Sequence, residues 1–474
     1  MVMSDLANKT GCPNCARLEA MVAALLKEVA ELKSRISDLE AQIKTDSSNS
    51  SKPPSSDPPW LPPTPSKTRS GKKPGGQPGH AGAFRQRLPL ERVKHIVDYV
   101  PAACSYCQAS LAGQYGPHLR ESSWHQVAEL PEVLAEITEH RGHQRTCGCC
   151  GKVTRAEIPA DIRAHCTGPK LAGAISFMSG CLHASKRAIE ETCDTLFNVP
   201  LSLGTISKLD ADTSAALEAP HAEALVAVRA APVKNVDETG WSKKSKLCWL
   251  WLAATARLAV FAIHAKRGKA GFKNLLGKAI VGIVCSDRWG VYAKLPFDQR
   301  QICWAHLKRD FQKFKDLGGE ARKTGHAGLR AVKAIFNVWN DWKEKPTERS
   351  NLQARLIDPA LALCRALERG RDGPDKKVRR FCNRLLKDYG ALWTFADVEG
   401  VEPTNNHAER CLRPAVMWRK RSFGNHSEEG CRFTERLLTA VQTLRLQKRP
   451  VLEYLASAIR NHRSGKPVPS LLAA

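Results

Sequence analysis

The sequence has no apolar stretch long enough to cross a membrane comfortably. Its most apolar long run, Leu247 to Ile263, is broken by Arg257, whereas a helical span takes about 20 consecutive apolar residues. No basic segment leading into an apolar one opens it, since Met1 to Thr10 is polar. A secretory signal is therefore not expected there, and a cytosolic setting is. Acidic residues are scarce beside basic ones: 47 Asp and Glu against 73 Lys and Arg leave a formal charge of +26 over 474 residues. That imbalance disfavours an enzyme of small neutral substrates and points to a polyanionic partner, of which nucleic acid is the commonest. The 17 cysteines are odd in number and scattered. They argue against a disulfide framework and for reduced thiols with a metal site.

What is present begins with a heptad pattern. Leu18, Val22, Leu25, Val29, Leu32, Ile36, Leu39 and Ile43 alternate steps of four and three. β-Branched residues at a and Leu at d favour a parallel two-stranded coiled coil. Glu28 would face Lys33 of a partner copy, and Arg35 would face Glu40. Residues 1–45 are expected to be a self-associating helix; the alternative is an amphipathic helix packed on its own domain. From 46 to 90 Pro, Ser and Gly dominate, which predicts a disordered or extended tether with a basic second half. Its glycines lack the GxxxxGK[ST] order of a nucleotide-binding loop.

Cys104-Ser-Tyr-Cys107 and Cys147-Gly-Cys-Cys150 are two CxxC pairs within residues 91–155. Two such turns supply the four thiolates of a closed structural Zn²⁺ site, with Cys149, His143 and His118 as alternative ligands. Cys12 and Cys15 form a third, isolated pair. Residues 156–229 read helical. A helix over 185–197, a break at Asn198–Ser202 and a helix over 204–219 fit helix-turn-helix spacing and an ordinary helical hairpin equally.

Beyond Ala230 the pattern turns to strands: 233–237, 247–254 and 258–265, then a helix over 269–278, then the apolar run 279–286. A meander, a helix and a strand buried on both faces follow the order of a ribonuclease-H-like fold, whose fourth strand lies parallel to the first. In that order Asp237, ending the first strand, and Asp287, ending the fourth, come together. Glu238 would point to the opposite face or the turn, with Thr239 and Gly240 ending the strand. A third acid is offered by Glu402-Pro-Thr-Asn-Asn-His-Ala-Glu-Arg-Cys-Leu-Arg-Pro414. There Thr404 or Asn405 can cap a helix that places Asn405, Glu409 and Arg413 on one face, with Pro414 predicting a kink or restart. The class expected is therefore α+β and multidomain.

These motifs resemble an insertion-sequence transposase of the family numbered sixty-six. The pieces that carry the likeness are NSSKPPSSD, GGQPGHAG, the paired CxxC module, NVDETGW, WLWLAAT, VCSDRWGVY, CWAHLKRDF and TNNHAERCLRP. Thr404 departs from the Asp usual before the two Asn. The resemblance implies an Asp-Asp-Glu triad at Asp237, Asp287 and Glu409 holding Mg²⁺ or Mn²⁺. It also implies a catalytic core over 230–318 and 396–474, interrupted by a helical insertion at 319–395. Arg410, Arg413, Arg419, Lys420, Arg421, Lys308 and Arg309 are candidate phosphate contacts. His306, Asn405 and Asn406 are candidate active-site support. The activity implied is DNA cleavage at transposon ends and strand transfer into target DNA, by a homodimer or higher oligomer. The setting implied is bacterial, cytoplasmic and nucleoid-associated, with small accessory proteins of the same element as further partners. The alternatives are an inactive DNA-binding regulator and a ribonuclease acting on RNA–DNA hybrids.

Overall fold

The computed structural model describes residues 13–43, 87–112, 123–129 and 135–472. Most of the tether, together with His118 and Cys12, lies outside them. The described residues fall into two compact units, the smaller holding those between 62 and 137 together with Leu196–Asn198. That smaller unit is mostly irregular. Leu88 and Gln126 exchange two hydrogen bonds, at 2.9 and 3.1 Å, and a β-bridge joins Ala103 to Ser110 around the first CxxC turn.

The larger unit contains α1 (Pro13–Ile43), whose seam residues Leu18, Val22, Leu25, Val29, Leu32, Ile36 and Leu39 are all exposed. A hairpin of β1 (Gln144–Thr146) and β2 (Val153–Arg155) precedes the short α2 (Ala160–Arg163). Four helices follow: α3 (Pro169–Leu182), α4 (Lys186–Phe197), α5 (Leu203–Ala216) and α6 (Glu218–Ala230). Ser202 starts α5 by accepting the Thr205 N–H, a helix cap. Lys186 ties α4 to α5 through Ser207 at 2.7 Å and Asp210 at 3.3 Å.

The centre is a five-stranded mixed sheet in the order β5-β4-β3-β6-β7. Its strands are β3 (Val233–Lys243), β4 (Lys246–Ala254), β5 (Ala259–His264), β6 (Ile283–Ser286) and β7 (Arg300–Ile302), with α7 (Lys269–Leu276) between β5 and β6. β3, β4 and β5 pair antiparallel, while β6 and β7 extend the sheet in parallel. The α+β class expected from the sequence is what the chain adopts.

Two strand limits differ from expectation by more than one residue. β3 does not stop at Thr239 and Gly240 but runs on to Lys243, pairing Gly240 with Trp249 and Trp241 with Cys248. It turns through Lys244 and Ser245, both at positive φ (50° and 60°), the geometry that lets a two-residue hairpin match strand twist. Lys-Ser is not the Asn-Gly signature of such a turn, so the sequence hid it. β6 begins at Ile283, not at 279. Gly282 sits at φ 66°, and a Cβ there would meet the Pro232 carbonyl oxygen at 2.2 Å, so this close approach fixes where the strand can start.

After β7 come α8 (Trp304–Leu317), α9 (Gly319–Glu344), α10 (Arg349–Asp372), α11 (Lys376–Lys387), the short α12 (Thr394–Asp397), α13 (Asn406–Ser422), α14 (Glu428–Leu446) and α15 (Val451–Arg463). α13 runs through Pro414 as one helix, so the restart expected there as the alternative to a kink does not occur. One apolar core joins β3–β5 to α7, α13, α14 and α15, and a second joins β6 and β7 to α8–α11. β6 feeds both: Val284 enters the first, Ile283 and Cys285 the second.

Candidate active site

The parallel register of β3 and β6 pairs Val233 with Ile283, Lys234 with Val284 and Asn235 with Cys285. Carried two residues further, the same offset sets Asp237 beside Asp287. Strand alternation then places Asn235, Asp237 and Thr239 on one face of β3, and Lys234, Val236 and Glu238 on the other. The latter three are buried, the former half-buried.

The face bearing Asp237 receives α13. Asn235 Nδ2 donates to Asn405 Oδ1 at 2.9 Å, and Asn405 Nδ2 donates to the Val236 carbonyl at 2.8 Å. Asn405 occupies the helix N-cap position but makes no side-chain cap; its amide is spent on the clamp to β3, each bond contributing about 1 kcal/mol. Farther along α13, Arg419 Nη1 donates to Thr239 Oγ1 at 3.0 Å and to the Gly240 carbonyl. Asp237 lies between these two ties on the strand, and Glu409 between them on the helix. The effect shows in the Asp237 carboxyl. Burial first, then the charges of Glu238 and Asp287 and, more weakly, of Glu409, push its pKa well above the usual carboxylate range. The Glu238 N–H, donating to Asp237 Oδ1 at 2.9 Å, opposes that rise. Three acids from β3, the end of β6 and α13 thus share one field.

Glu409 is also approached from α8: the Arg309 guanidinium lies 3.3 Å (Nη2) and the His306 ring 3.8 Å (Nδ1) from its Oε1. Burial, helped by Arg309 and Arg288, lowers the His306 pKa to about 3, so its imidazole is neutral. α8 is placed for this by its first turn, where the Trp304 N–H donates to the Pro403 carbonyl and the Asn405 N–H to Cys303 Sγ. A cavity of about 350 Å³ opens beside Asp287, lined among others by Arg267, Arg288, His306, Arg309 and Arg384. Arg288 is fixed by Asp310 through Nε at 3.0 Å. Asp287 Oδ1 accepts the Trp289 N–H at 2.9 Å.

Glu238 stands on the other face. It accepts from Arg267 Nε at 2.9 Å and from the Tyr292 hydroxyl. Burial pushes its pKa up against those two bonds. The Arg267 guanidinium lies 4.8 Å from the Trp249 ring centre and 4.5 Å from that of Trp289. Arg267, Arg288 and Arg384 were not singled out in the sequence; the signal available was Arg288 directly after Asp287.

Oxygen donors from three carboxylates are the chemistry that Mg²⁺ or Mn²⁺ takes. As the side chains stand, no three His, Cys, Asp or Glu of the described residues close on a single metal position, and Glu409 is turned to Arg309 and His306. Of the other basic candidates, Lys308, Arg410, Arg413 and Lys420 are exposed. Arg419 is turned inward by its bonds to β3, and Arg421 donates to the Leu182 carbonyl at 3.0 Å. Asn406 is half-buried at the first turn of α13.

Both CxxC pairs form tight turns. The Gln108 N–H returns to the Cys104 carbonyl and the Gly151 N–H to the Cys147 carbonyl, each at 2.9 Å. Backbone amides of Cys107 and Tyr106 lower the Cys104 pKa, and those of Cys150 and Cys149 lower that of Cys147. Each turn is thereby biased towards the thiolate. The first pair lies in the smaller unit and the second in the larger.

Residues 182–432, which include all three acids, match the family model described as Transposase IS66 family. Residues 9–86 match a family of unknown function, DUF6444. The chain is also 26% identical over 178 residues to a Sinorhizobium fredii (strain NBRC 101917 / NGR234) protein described as "Uncharacterized protein y4qI", an alignment covering 36% of this chain. The chain spans about a third of that relative's length, at 32%.

Proposed function

The chain belongs to the IS66 transposase family, and from that premise we propose that it is a DNA transposase built on a ribonuclease-H-like core. It would cleave phosphodiesters at the ends of its element and join the freed 3′-OH to target DNA. The observation that carries the reading is the parallel β3–β6 register, which sets Asp237 beside Asp287, on the strand face to which Asn405 and Arg419 tie the helix of Glu409. Such a cluster of like charges at one end of a parallel strand pair destabilises the fold unless a cation or a function compensates.

Asp237, Asp287 and Glu409 would hold Mg²⁺ or Mn²⁺, which when bound supplies Lewis-acid stabilisation of the phosphate and activation of the attacking hydroxyl. The chain's own residues do the rest. Arg384, and Arg267, Arg288 and Arg309 held in place by Glu238, Asp310 and Glu409, line the cavity with guanidinium donors that would orient a phosphodiester. The neutral His306 adds no charge that would compete for Glu409. Lys308, Arg410, Arg413 and Lys420 are exposed for backbone contacts.

The same proposal takes Cys104, Cys107, Cys147 and Cys150 as a structural Zn²⁺ site and α1 as a homodimer zipper, with accessory proteins of the element as further partners. No described helix is long and apolar enough to cross a membrane, and the site of action proposed is the bacterial nucleoid.

The test is strand cleavage of labelled element ends with Mg²⁺ or Mn²⁺. Asp237→Asn, Asp287→Asn and Glu409→Gln should each lower cleavage by roughly 100-fold or more while DNA binding persists. Cleavage retained by all three would sink the assignment. Sequence-specific binding by a wild type silent in every metal would make the protein a regulator instead.

A further inference from the structure

The twelve residues of α11 carry Lys376, Lys377, Arg379, Arg380, Arg384 and Lys387 and no acid. The helix divides sharply. Val378, Phe381, Cys382 and Leu385 are buried, and the six cations are exposed. Lys376, Arg380, Arg384 and Lys387 follow at steps of four, four and three, which sets them along one face.

The flanking acids do not neutralise this face. Asp375 is occupied in capping α11 through the N–H groups of Lys377 and Val378, and Asp388 pairs with Arg300 at 3.4 Å. Among the described residues, Lys376, Arg380, Arg384 and Lys387 make no ion pair. Like charges at i, i+4 repel and destabilise a helix slightly, so a face of this kind, left unpaired, fits a polyanion.

Two features connect the face to the candidate active site. Arg384 lines the cavity beside Asp287 and also the groove of about 500 Å³ formed by Lys376, Arg379, Arg380, Asn383 and Lys387. Beneath it, Phe381 is fixed edge-on against Phe311 and Phe314 of α8, at 5.4 and 4.9 Å between ring centres. The Arg288 guanidinium lies over the same ring at 4.6 Å. The basic face is therefore bolted to the helix carrying His306 and Arg309 and to the residue that follows Asp287.

We infer that α11 is a phosphate track: it holds the backbone of duplex DNA leading away from the phosphodiester bound at the acidic site. This rests on the transposase reading above. From Lys376 to Lys387 the helix rises about 16 Å at 1.5 Å per residue, a length over which one strand of a duplex presents about four or five phosphates. The contact is electrostatic and does not read bases, so it serves any sequence next to the cleavage point.

The experiment is the salt dependence of binding, without divalent metal, of the full chain to a 40-base-pair duplex bearing an end of the element. Each phosphate contact contributes about 0.9 to the slope of log K against log [salt]. Arg380→Ala/Lys387→Ala should reduce the slope by about 2 with its melting temperature held. The charge-preserving pair Arg380→Lys/Lys387→Arg should keep it. Arg330→Ala/Lys333→Ala, two exposed cations on α9, should also leave it unchanged. An unchanged slope in the α11 alanine pair, with a wild type that binds and cleaves, overturns the track alone. An equal fall in the α9 pair also overturns it, since any surface cation would then serve. A wild type that neither binds nor cleaves overturns both the track and the transposase reading.

Discussion

Glu238 holds Arg267 from the face of β3 opposite Asp237, with two guanidinium nitrogens at 2.9 and 2.8 Å from Oε1. The two rings of Trp249 and Trp289 flank the guanidinium, and the Tyr292 hydroxyl occupies the carboxylate's other oxygen. The adjacent acids Asp237 and Glu238 thus divide the work. One joins the carboxylate cluster; the other fixes a cation that lines the cavity beside Asp287.

Glu238→Gln should therefore lower end cleavage less than Asp237→Asn does. The amide keeps a partner for Tyr292 but gives Arg267 no counter-charge, and a loss of about tenfold is expected, equivalent to roughly 1.4 kcal/mol in the transition state. Arg267→Lys should fall by a similar factor, because an ammonium cannot stack as a flat guanidinium does. Single-turnover cleavage rates check both. If Glu238→Gln is as inactive as Asp237→Asn, the division between faces is wrong.

Much of this arrangement was legible in the sequence because it follows from strand periodicity. The order meander, helix, buried strand already put Asp237 with Asp287. What was not legible depends on contacts between distant segments. Asn405 looked like a helix cap, and local chemistry gives no sign that its amide is spent on Val236 and Asn235. Arg419 read as a phosphate contact, and only packing turns it onto Thr239 and Gly240. Pro414 read as a kink or restart, yet α13 does not restart there, with Cys411, Leu412, Ala415 and Trp418 buried on either side of it. Arg267 and Arg384 matter only through the cavity they line.

Asp210 on α5 gives a dependence on pH unrelated to the acidic cluster. Burial raises its pKa to about 6, against the pull of Lys186, and its Oδ1 has no hydrogen-bond partner. The folded state then binds the proton more tightly than the unfolded chain. The stability gained from protonated Asp210 is full below the unfolded value near 3.8 and is lost as pH rises through about 6. Asp210→Asn should be more stable than wild type at pH 7.5, with an advantage that grows by about 1 kcal/mol between pH 5 and 7. Urea unfolding across that range measures it. A pH-independent difference would show that Asp210 is charged in the folded state throughout.

The CxxC turns make a prediction in metal content. Protein purified from a zinc-supplied cytosol should carry about one Zn²⁺ per chain if the two turns complete one tetrahedral site. Cys104→Ser and Cys147→Ser should each lose it. Elemental analysis after dialysis decides the matter, and a wild type without zinc ends the assignment. Chelation of the wild type should lower its melting temperature, since binding free energy at such a site is folding free energy.

α1 leaves Leu18, Val22, Leu25, Val29, Leu32, Ile36 and Leu39 uncovered along one seam, and a 31-residue helix is long enough for four heptads. Exposed apolar surface on that scale is rare without a partner. The a and d pattern, with Glu28 and Lys33 set for g-to-e pairing, fits a second copy of the same helix in parallel. Sedimentation equilibrium of the full chain should therefore return a dimer or a multiple of one. Leu25→Lys/Leu32→Lys places like charges at two d positions of each strand and should shift the mass to that of the monomer, while the melting of the remaining fold stays unchanged. If the double variant stays dimeric, the association lies elsewhere. If it loses cooperative melting as well as mass, α1 packs on its own chain, and the zipper assignment falls.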